Sequence, residues 1–272
     1  MIQYPHCKIN LGLSIVAKRA DGFHELETVF YPVALKDMLE ITPAKTNDAT
    51  SFSNSGLLIP GDSSNNLCLK AYHLLKVDFP SLPEIQMHLH KIIPMGAGLG
   101  GGSSDGTAAL KILNSLFKIG LSEEQLLVYA EKLGSDCPYF LYDTPCHATG
   151  KGEQLTPIAC NLSNYSIVLL HPGIHIATPW AFQQITPCKK DKLIATIIQQ
   201  PISTWRQELI NDFEAPVIKS HPIIGALKND LYQQGAVYAS MSGSGSSLFG
   251  IFEKNIKYKK SDLTNHIRID TI

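Results

Sequence analysis

Apolar residues recur along this chain with two different periods, and the changes of period mark its elements. Over 85–93 (IQMHLHKII), Ile85, Met87 and Leu89 alternate with Gln86, His88 and His90, the pattern of a strand with one buried face. Beyond residue 105 the period lengthens. Ala109, Ile112, Leu113, Leu116 and Phe117 fall at i, i+3, i+4, i+7 and i+8, one face of a helix, and Gly120 is placed to stop it. Earlier, 7–17 (CKINLGLSIVA) reads as a strand with Ile9, Leu11, Leu13 and Ile15 on one face. Lys8 and Asn10 share its other face, where the pattern alone makes them ordinary surface residues. A polar turn at Lys18–Gly22 precedes a second extended segment, Phe23–Tyr31. The polar stretch within 43–63 reads as hairpin and loop. Asn65 or Asn66 then caps a helix striped by Leu67, Ala71, Leu74 and Leu75. Ser122–Gln125 is a capping box for a helix that runs to about Leu133, with Gly134 ending it. Tyr165–His171 has the length of a buried strand, Asn211–Glu214 opens a helical segment, and Leu248–Phe252 is strand-like.

Between the strand at 85–93 and the following helix lies Pro94-Met-Gly-Ala-Gly-Leu-Gly-Gly-Gly-Ser-Ser-Asp105, in which five of twelve residues are glycine. Glycine lets backbone N–H groups approach an anion, and a helix start adds unpaired donors and partial positive charge. Strand, glycine-rich loop and helix, with Ser103, Ser104 and Asp105 as the cap region, read as a phosphate cradle. Gly96, Gly98 and Gly101 formally satisfy the dinucleotide fingerprint. That reading needs an acidic residue ending a second strand roughly 20 residues on. Glu123 and Glu124 instead sit in the first turn of another helix. No P-loop motif and no protein-kinase motif occurs. A second small-residue loop, Met241–Ser247, precedes the strand-like segment at 248.

Other candidates stay open on pattern alone. Asp136, in Gly134-Ser-Asp-Cys-Pro138, is either a turn-stabilising carboxylate or one aimed into a cleft. Phe23-His24 beside a turn can stack on and hydrogen-bond a heterocycle, or simply pack. His88 and His90 share a strand face, with no third metal ligand nearby.

Composition narrows the class. The 272 residues are 44% hydrophobic and 17% charged with net charge −1, which is a soluble globular profile without the basic footprint of a nucleic-acid binder. Six scattered cysteines form no C-x-x-C pair, so reduced thiols and a cytoplasmic setting are expected. The N-terminus lacks the apolar core of a signal peptide, and no apolar run approaches the roughly 20 residues needed to span a bilayer. Neither a membrane nor a nucleic acid is expected as a partner.

Taken together, several segments resemble the GHMP small-molecule kinases. They are Pro5-x-x-Lys8-x-Asn10, Asp21-Gly-Phe-His24 and its continuation to Phe30, the loop 94–105, Gly134–Pro138, His171-Pro-Gly173 with Thr178-Pro179, Asn211–Glu214 and Met241–Gly245. They occur in the family's order over nearly the full length. The Asp-Gly-Phe-His segment and the triple glycine before Ser-Ser point to the members whose acceptor alcohol carries a cytidine diphosphate group.

The resemblance implies an α+β, two-domain architecture: an N-terminal α/β ATP-binding domain over 1–155 and a C-terminal ferredoxin-like domain over 156–272, with the active site in the cleft between them. It implies transfer of the γ-phosphoryl of ATP, with Mg²⁺, to a hydroxyl of the acceptor in non-mevalonate isoprenoid synthesis. Asp136 is then the proton acceptor and Lys8 the cation that keeps it ionised. Pro94, Met95, Gly96, Ala97, Gly98, Leu99, Gly100, Gly101, Gly102, Ser103 and Ser104 hold the ATP phosphates, with the Ser104 hydroxyl near the metal. Asn66 and Lys91 match positions that contact adenosine. Phe23 and Phe182 sandwich the cytosine, His24 reads its polar edge, and Asn10 and Thr178 orient the diphosphate and sugar alcohol. Many family members have tyrosine at the position of Phe23; phenylalanine keeps the stacking face and loses the hydroxyl. Two alternatives compete. A homoserine- or mevalonate-type kinase leaves Phe23, His24 and Phe182 without a purpose. A non-catalytic nucleotide-binding regulator should lose its catalytic pair, whereas Lys8 and Asp136 are both present.

Overall fold

The structure is a computed structural model that describes residues 1–46, 48–256, 258–259 and 267–271. In chain order the first elements are β1 (Ile2–Gln3), β2 (His6–Lys18), β3 (His24–Lys36), β4 (Met38–Pro43), β5 (Ser51–Gly56), α1 (Leu67–Asp78) and β6 (Ile85–Lys91). Then come α2 (Gly101–Leu116), α3 (Glu123–Leu133), α4 (Tyr139–Tyr142), β7 (Cys146–Thr149), β8 (Gln154–Pro157) and β9 (Tyr165–His171). The rest are α5 (Thr178–Gln183), α6 (Ile194–Ile198), α7 (Ile202–Glu208), α8 (Glu214–Ser220), α9 (Pro222–Gln233), β10 (Tyr238–Met241), β11 (Leu248–Glu253) and β12 (Ile267–Thr271). The mixed content is the α+β class expected.

Two compact units form. The first comprises Met1–Cys7, Leu35–Met95 and Gly100–Asp143; the second comprises Lys8–Ala34, Gly96–Leu99 and Thr144–Ile272. In the first unit the sheet order is β1-β4-β6-β5. The alternation read at 85–93 is real: Ile85, Met87 and Leu89 are buried and pack with Leu75 of α1 and Leu113 of α2 in one core cluster. Each such side chain removed from water stabilises by roughly 1.5–3 kcal/mol. Asn66 caps α1, its side-chain oxygen accepting from Cys68 N at 2.9 Å. Ser122 and Gln125 complete the capping box of α3, and Gly134 ends it, as expected.

The hairpin expected within 43–63 does not form. Residues 51–56 instead run parallel to β6 as an edge strand, with Phe52↔Met87 in register. Phe52 alone of that polar segment packs on the core, and α1 is the crossover that a parallel pair requires. The edge strand also explains the two histidines: Ser53 and Ser55 hydroxyls pair with His88 and His90. α2 also differs from expectation at both ends. It begins at Gly101 with Gly100 as its cap, so Ser103 and Ser104 lie inside its first turn, and it stops at Leu116, before Gly120.

The second unit holds two antiparallel sheets, β2-β3-β7-β8 and β10-β11-β9-β12. Leu13 and Ile15 of β2 join Val168, Leu170, Phe213, Val217, Leu227 and Phe252 in its core. Both faces of β2 are covered, so Lys8 and Asn10 are 4% and 1% exposed rather than surface residues. The alternation hid this because a charged side chain in a strand reads as solvated unless its partners are known. All six cysteines are free thiols.

Candidate active site

The glycine-rich loop is shaped by what its carbonyl groups meet. Within the second unit, Ala97 O accepts from Ser247 N (3.2 Å), Gly98 O from the Ser242 hydroxyl (2.8 Å) and Leu99 O from Lys8 N (2.9 Å). The N–H and C=O of one peptide point in opposite directions. Three consecutive carbonyls drawn onto the protein therefore turn the amides of Gly98, Leu99 and Gly100 the other way. Gly96, Gly98 and Gly100 have φ of 60°, 78° and 69°. Left-handed residues at every second position are the backbone pattern from which anion-binding nests are built. Gly98 admits no side chain, because a Cβ there would collide with the Ser242 carbonyl. In the first unit, α2 follows with no side-chain cap on its first amides, which leaves a helix N-terminus for an anion. The positive-φ glycines of the loop are accounted for by this backbone path, without the dinucleotide reading.

Lys8 and Asn10 lie buried on β2 in the second unit. Lys8 Nζ donates to Asn10 Oδ1 at 2.7 Å and stands 4.7 Å from the Phe30 ring centre. Asn10 Nδ2 donates to the Thr28 hydroxyl (3.0 Å), and Asn10 N donates to the Ser242 hydroxyl (3.2 Å). Ser242 thus joins β2 to the phosphate loop. The second glycine loop is held in turn by Asn211, whose Nδ2 donates to Met241 O (2.8 Å) and Gly243 O (2.9 Å). Glu214 accepts from Met241 N at 2.6 Å. The Asn-Asp-Phe-Glu motif is therefore the support of the 241–247 loop, a role that the sequence did not disclose.

Asp136, Ser104, Lys91 and Asn66 belong to the first unit. Asp136 lies half-buried in the turn after α3. That turn is fastened to α2 by the Thr107 hydroxyl, which donates to Cys137 O at 2.9 Å. A Ser103 side-chain hydrogen bond also reaches the Cys137 thiol, which burial, with the charge of Asp136, pushes up to about 11. Ser104 is 2% exposed. That burial works against the expected hydroxyl beside a metal, since Ser104 offers little surface to a ligand. Lys91 is the clearest departure. Its ammonium has no solvent exposure; it pairs with Asp37 and with Asp105 Oδ2, the latter at 2.9 Å. A side-chain contact from Lys91 to adenosine is not available in this arrangement. Burial works against the Lys91 charge, but Asp105 and Asp37 outweigh it and hold its pKa above the ordinary lysine value. Burial pushes the Asp105 carboxyl up to about 8, with Lys91 opposing and Asp37 adding to the rise.

Of the expected aromatic residues, His24 and Phe182 meet, while Phe23 stands apart from that stack. His24 and Phe182 stack on each other, centroids 4.7 Å apart and planes 20° apart, and Phe182 meets Phe213 edge-on. Phe23 is 56% exposed, with the Lys151 ammonium 4.8 Å from its ring centre. One Phe182 face is thus covered by His24, and a planar base using that face would have to displace the imidazole ring. Thr178 lies at the start of α5, its hydroxyl 3.1 Å from that of Ser244. Asn66 spends its side-chain oxygen on the α1 cap. Among the described residues no group of three or more His, Cys, Asp or Glu side chains is arranged to hold a metal ion.

Comparison with known proteins agrees with this geometry. The family model "GHMP kinases N terminal domain" matches residues 66–144, and "GHMP kinases C terminal" matches residues 197–261. A protein of Cytophaga hutchinsonii named 4-diphosphocytidyl-2-C-methyl-D-erythritol kinase is 50% identical over 253 residues, covering 93% of this chain and 92% of its own. A crystal structure of 4-(cytidine 5'-diphospho)-2C-methyl-D-erythritol kinase superposes with TM-score 0.79 at 31% identity, over 92% of this chain and 90% of its own. The homoserine kinase of Cytophaga hutchinsonii shares the fold at TM-score 0.66, with 18% identity over 92% of this chain and 85% of its own. The chain belongs to the 4-diphosphocytidyl-2-C-methyl-D-erythritol kinase family of the GHMP kinases.

Proposed function

We propose that this chain transfers the γ-phosphoryl of ATP to the 2-hydroxyl of 4-diphosphocytidyl-2-C-methyl-D-erythritol, a step of non-mevalonate isoprenoid-precursor synthesis in the cytoplasm. The observation that carries the acceptor assignment is the stacked pair His24 and Phe182, with Phe23 next in sequence and its ring exposed. A homoserine or mevalonate substrate has no base to stack there. Separating His24 from Phe182 costs about 0.5–1.5 kcal/mol. A base–aromatic stack returns about 1–3 kcal/mol per base. Cytosine therefore competes for the Phe182 face, and His24, once released, is free to hydrogen-bond the base edge.

The transition state of phosphoryl transfer is loose, so catalysis is mostly positioning and charge stabilisation. The nest at 98–100 and the first turn of α2 bind the phosphates through amides. Asp136 orients the acceptor hydroxyl and accepts its proton. Lys8, held by Asn10, supplies positive charge to the transferring group, and Asn10 with Thr178 orients the diphosphate and sugar alcohol. A Mg²⁺ would be held mainly by the nucleotide phosphates rather than by a protein ligand set, since no metal-holding cluster is present among the described residues. When bound, it offsets phosphate charge. Asn66 remains assigned to adenosine through its cap backbone and amide group. The two family-model matches fall on either side of residue 156, which supports N- and C-terminal domains over 1–155 and 156–272.

The test is kcat/KM of the purified protein for three acceptors: the diphosphocytidyl alcohol, homoserine and mevalonate. Preference for the first by a factor of at least 10³ is expected. Turnover of homoserine or mevalonate in its place contradicts the assignment.

A further inference from the structure

We infer that Asp37, Lys91 and Asp105 form a buried clamp that fixes both ends of the glycine-rich loop, making all three positioning residues for ATP rather than ligands of it. The inference rests on reading that loop as the site of the ATP phosphates.

The loop leaves the sheet at 92–93 and re-enters regular structure at Gly101. Asp37 holds the first end: its Oδ1 accepts from Ile92 N at 2.5 Å and Ile93 N at 2.9 Å. Lys91, one residue earlier, joins that carboxylate to Asp105 in the second turn of α2. All three are nearly excluded from solvent, at 1%, 1% and 3% exposure for Asp37, Lys91 and Asp105. Asp105 Oδ1 has no hydrogen-bond partner, so the Lys91 ammonium is what its carboxylate is held for. The ammonium lies directly under the first turn of α2, where a Cβ on Gly101 would approach it to 2.9 Å. A cation at a helix N-terminus is repelled by the macrodipole. Asp37 supplies the charge that offsets that repulsion, and Asp105 Oδ2 accepts a further hydrogen bond from the same ammonium, so loss of either partner leaves the lysine poorly satisfied. A buried charge without its partner is strongly unfavourable, so the three side chains stand or fall together. With both ends tied to one ammonium, the amides between them are preorganised for the polyphosphate.

The experiment compares Asp105→Asn, Lys91→Met and the double variant, at a temperature where circular dichroism shows each to be folded. Calorimetry measures binding of a β,γ-nonhydrolysable ATP analogue with Mg²⁺ and, separately, of cytidine diphosphate as a fragment of the acceptor. Each single variant should weaken analogue binding at least tenfold and leave cytidine diphosphate binding within twofold. The double variant should be no worse than the weaker single, because the pair acts as one unit. Analogue affinity within twofold of wild type in folded Lys91→Met overturns the clamp, as does equal loss of both ligands. Wild-type protein that binds no analogue at all overturns the ATP reading itself. Should the variants fail to fold, amide exchange in the wild type decides. Ile92 and Ile93 amides exchanging as slowly as those of β6 support the clamp, and exchange at the rate of 96–99 refutes it.

Discussion

Replacing Gly98 by alanine tests whether the phosphate loop is shaped by its packing against the second glycine loop. Gly98 sits at φ +78°, where an L-residue other than glycine is strained. The left-handed conformation costs an alanine about 1–2 kcal/mol. The added Cβ would also run into the Ser242 carbonyl, with Gly245 N at 3.4 Å on the same side. Backbone cannot swing away as a side chain can, so overpacking adds about 1–3 kcal/mol. The sum, about 2–5 kcal/mol, corresponds to a fall in Tm of roughly 4–20 °C for a chain of this size. Relief by moving the loop would break the bonds from Ser242 and Ser247 and turn the amide nest, so ATP should bind at least tenfold more weakly as well. Gly102→Ala is the control. Gly102 lies in the first turn of α2 with nothing within 4 Å of an added methyl group, and alanine is the better helix former by about 1 kcal/mol. Thermal denaturation and analogue binding are measured on both. A Gly98→Ala protein with wild-type Tm and affinity refutes the argument, and so does one no less stable than Gly102→Ala.

Three further outcomes follow from named contacts. Asp136→Asn should leave ATP binding within about threefold while turnover falls by two orders of magnitude or more, measured by calorimetry and single-turnover kinetics; near-normal turnover removes Asp136 from its role. Asn211→Ala removes two buried hydrogen bonds to the 241–243 backbone and should destabilise the protein by about 2–4 kcal/mol in urea, since each stranded carbonyl costs roughly 1–3 kcal/mol; a change below about 0.5 kcal/mol counts against that support. For Asp143, burial works to raise the carboxyl, but the His6 hydrogen bond and the charge of Lys111 hold it below the ordinary value of 3.8. A depressed carboxylate contributes stability above its unfolded pKa and loses it as pH falls through the folded one. Because its side chain is 56% exposed, solvent screening limits the contribution to about 1 kcal/mol. Asp143→Asn should be the less stable protein at pH 7 by that amount, with the gap closing as pH falls below the ordinary value of 3.8 and through the depressed folded one; a gap that widens in acid contradicts the pairing.

Local elements were legible where one residue type forces one geometry. Ser122 with Gln125 announced the start of α3, and the alternation at Ile85–Leu89 announced β6. The loop at 94–105 was legible as backbone, because five glycines before a helical period mark a tight turn into a helix start. What could not be read was anything set by contacts distant in sequence. Lys8 and Asn10 looked solvated because their partners, Thr28 and Ser242, lie 18 or more positions from Asn10. Lys91 was tied to adenosine by the resemblance alone, and nothing local marks Asp37, 54 residues earlier, as its counter-ion. The edge strand 51–56 was hidden by its composition, since only Phe52 carries an apolar side chain inward. Asp105 did carry a signal: a carboxylate on the buried face of a helix needs a cation, and Lys91 is the nearest basic residue before it.

The central claim is a chemical one: an alcohol that carries cytidine diphosphate receives the terminal phosphoryl of ATP. Phosphorus NMR of the purified protein with ATP, Mg²⁺ and 4-diphosphocytidyl-2-C-methyl-D-erythritol tests it directly. The account predicts one new phosphomonoester resonance growing in step with ADP while the diphosphate resonances of the acceptor persist. ATP left intact, or ADP formed with inorganic phosphate as the sole new phosphorus species, would contradict it.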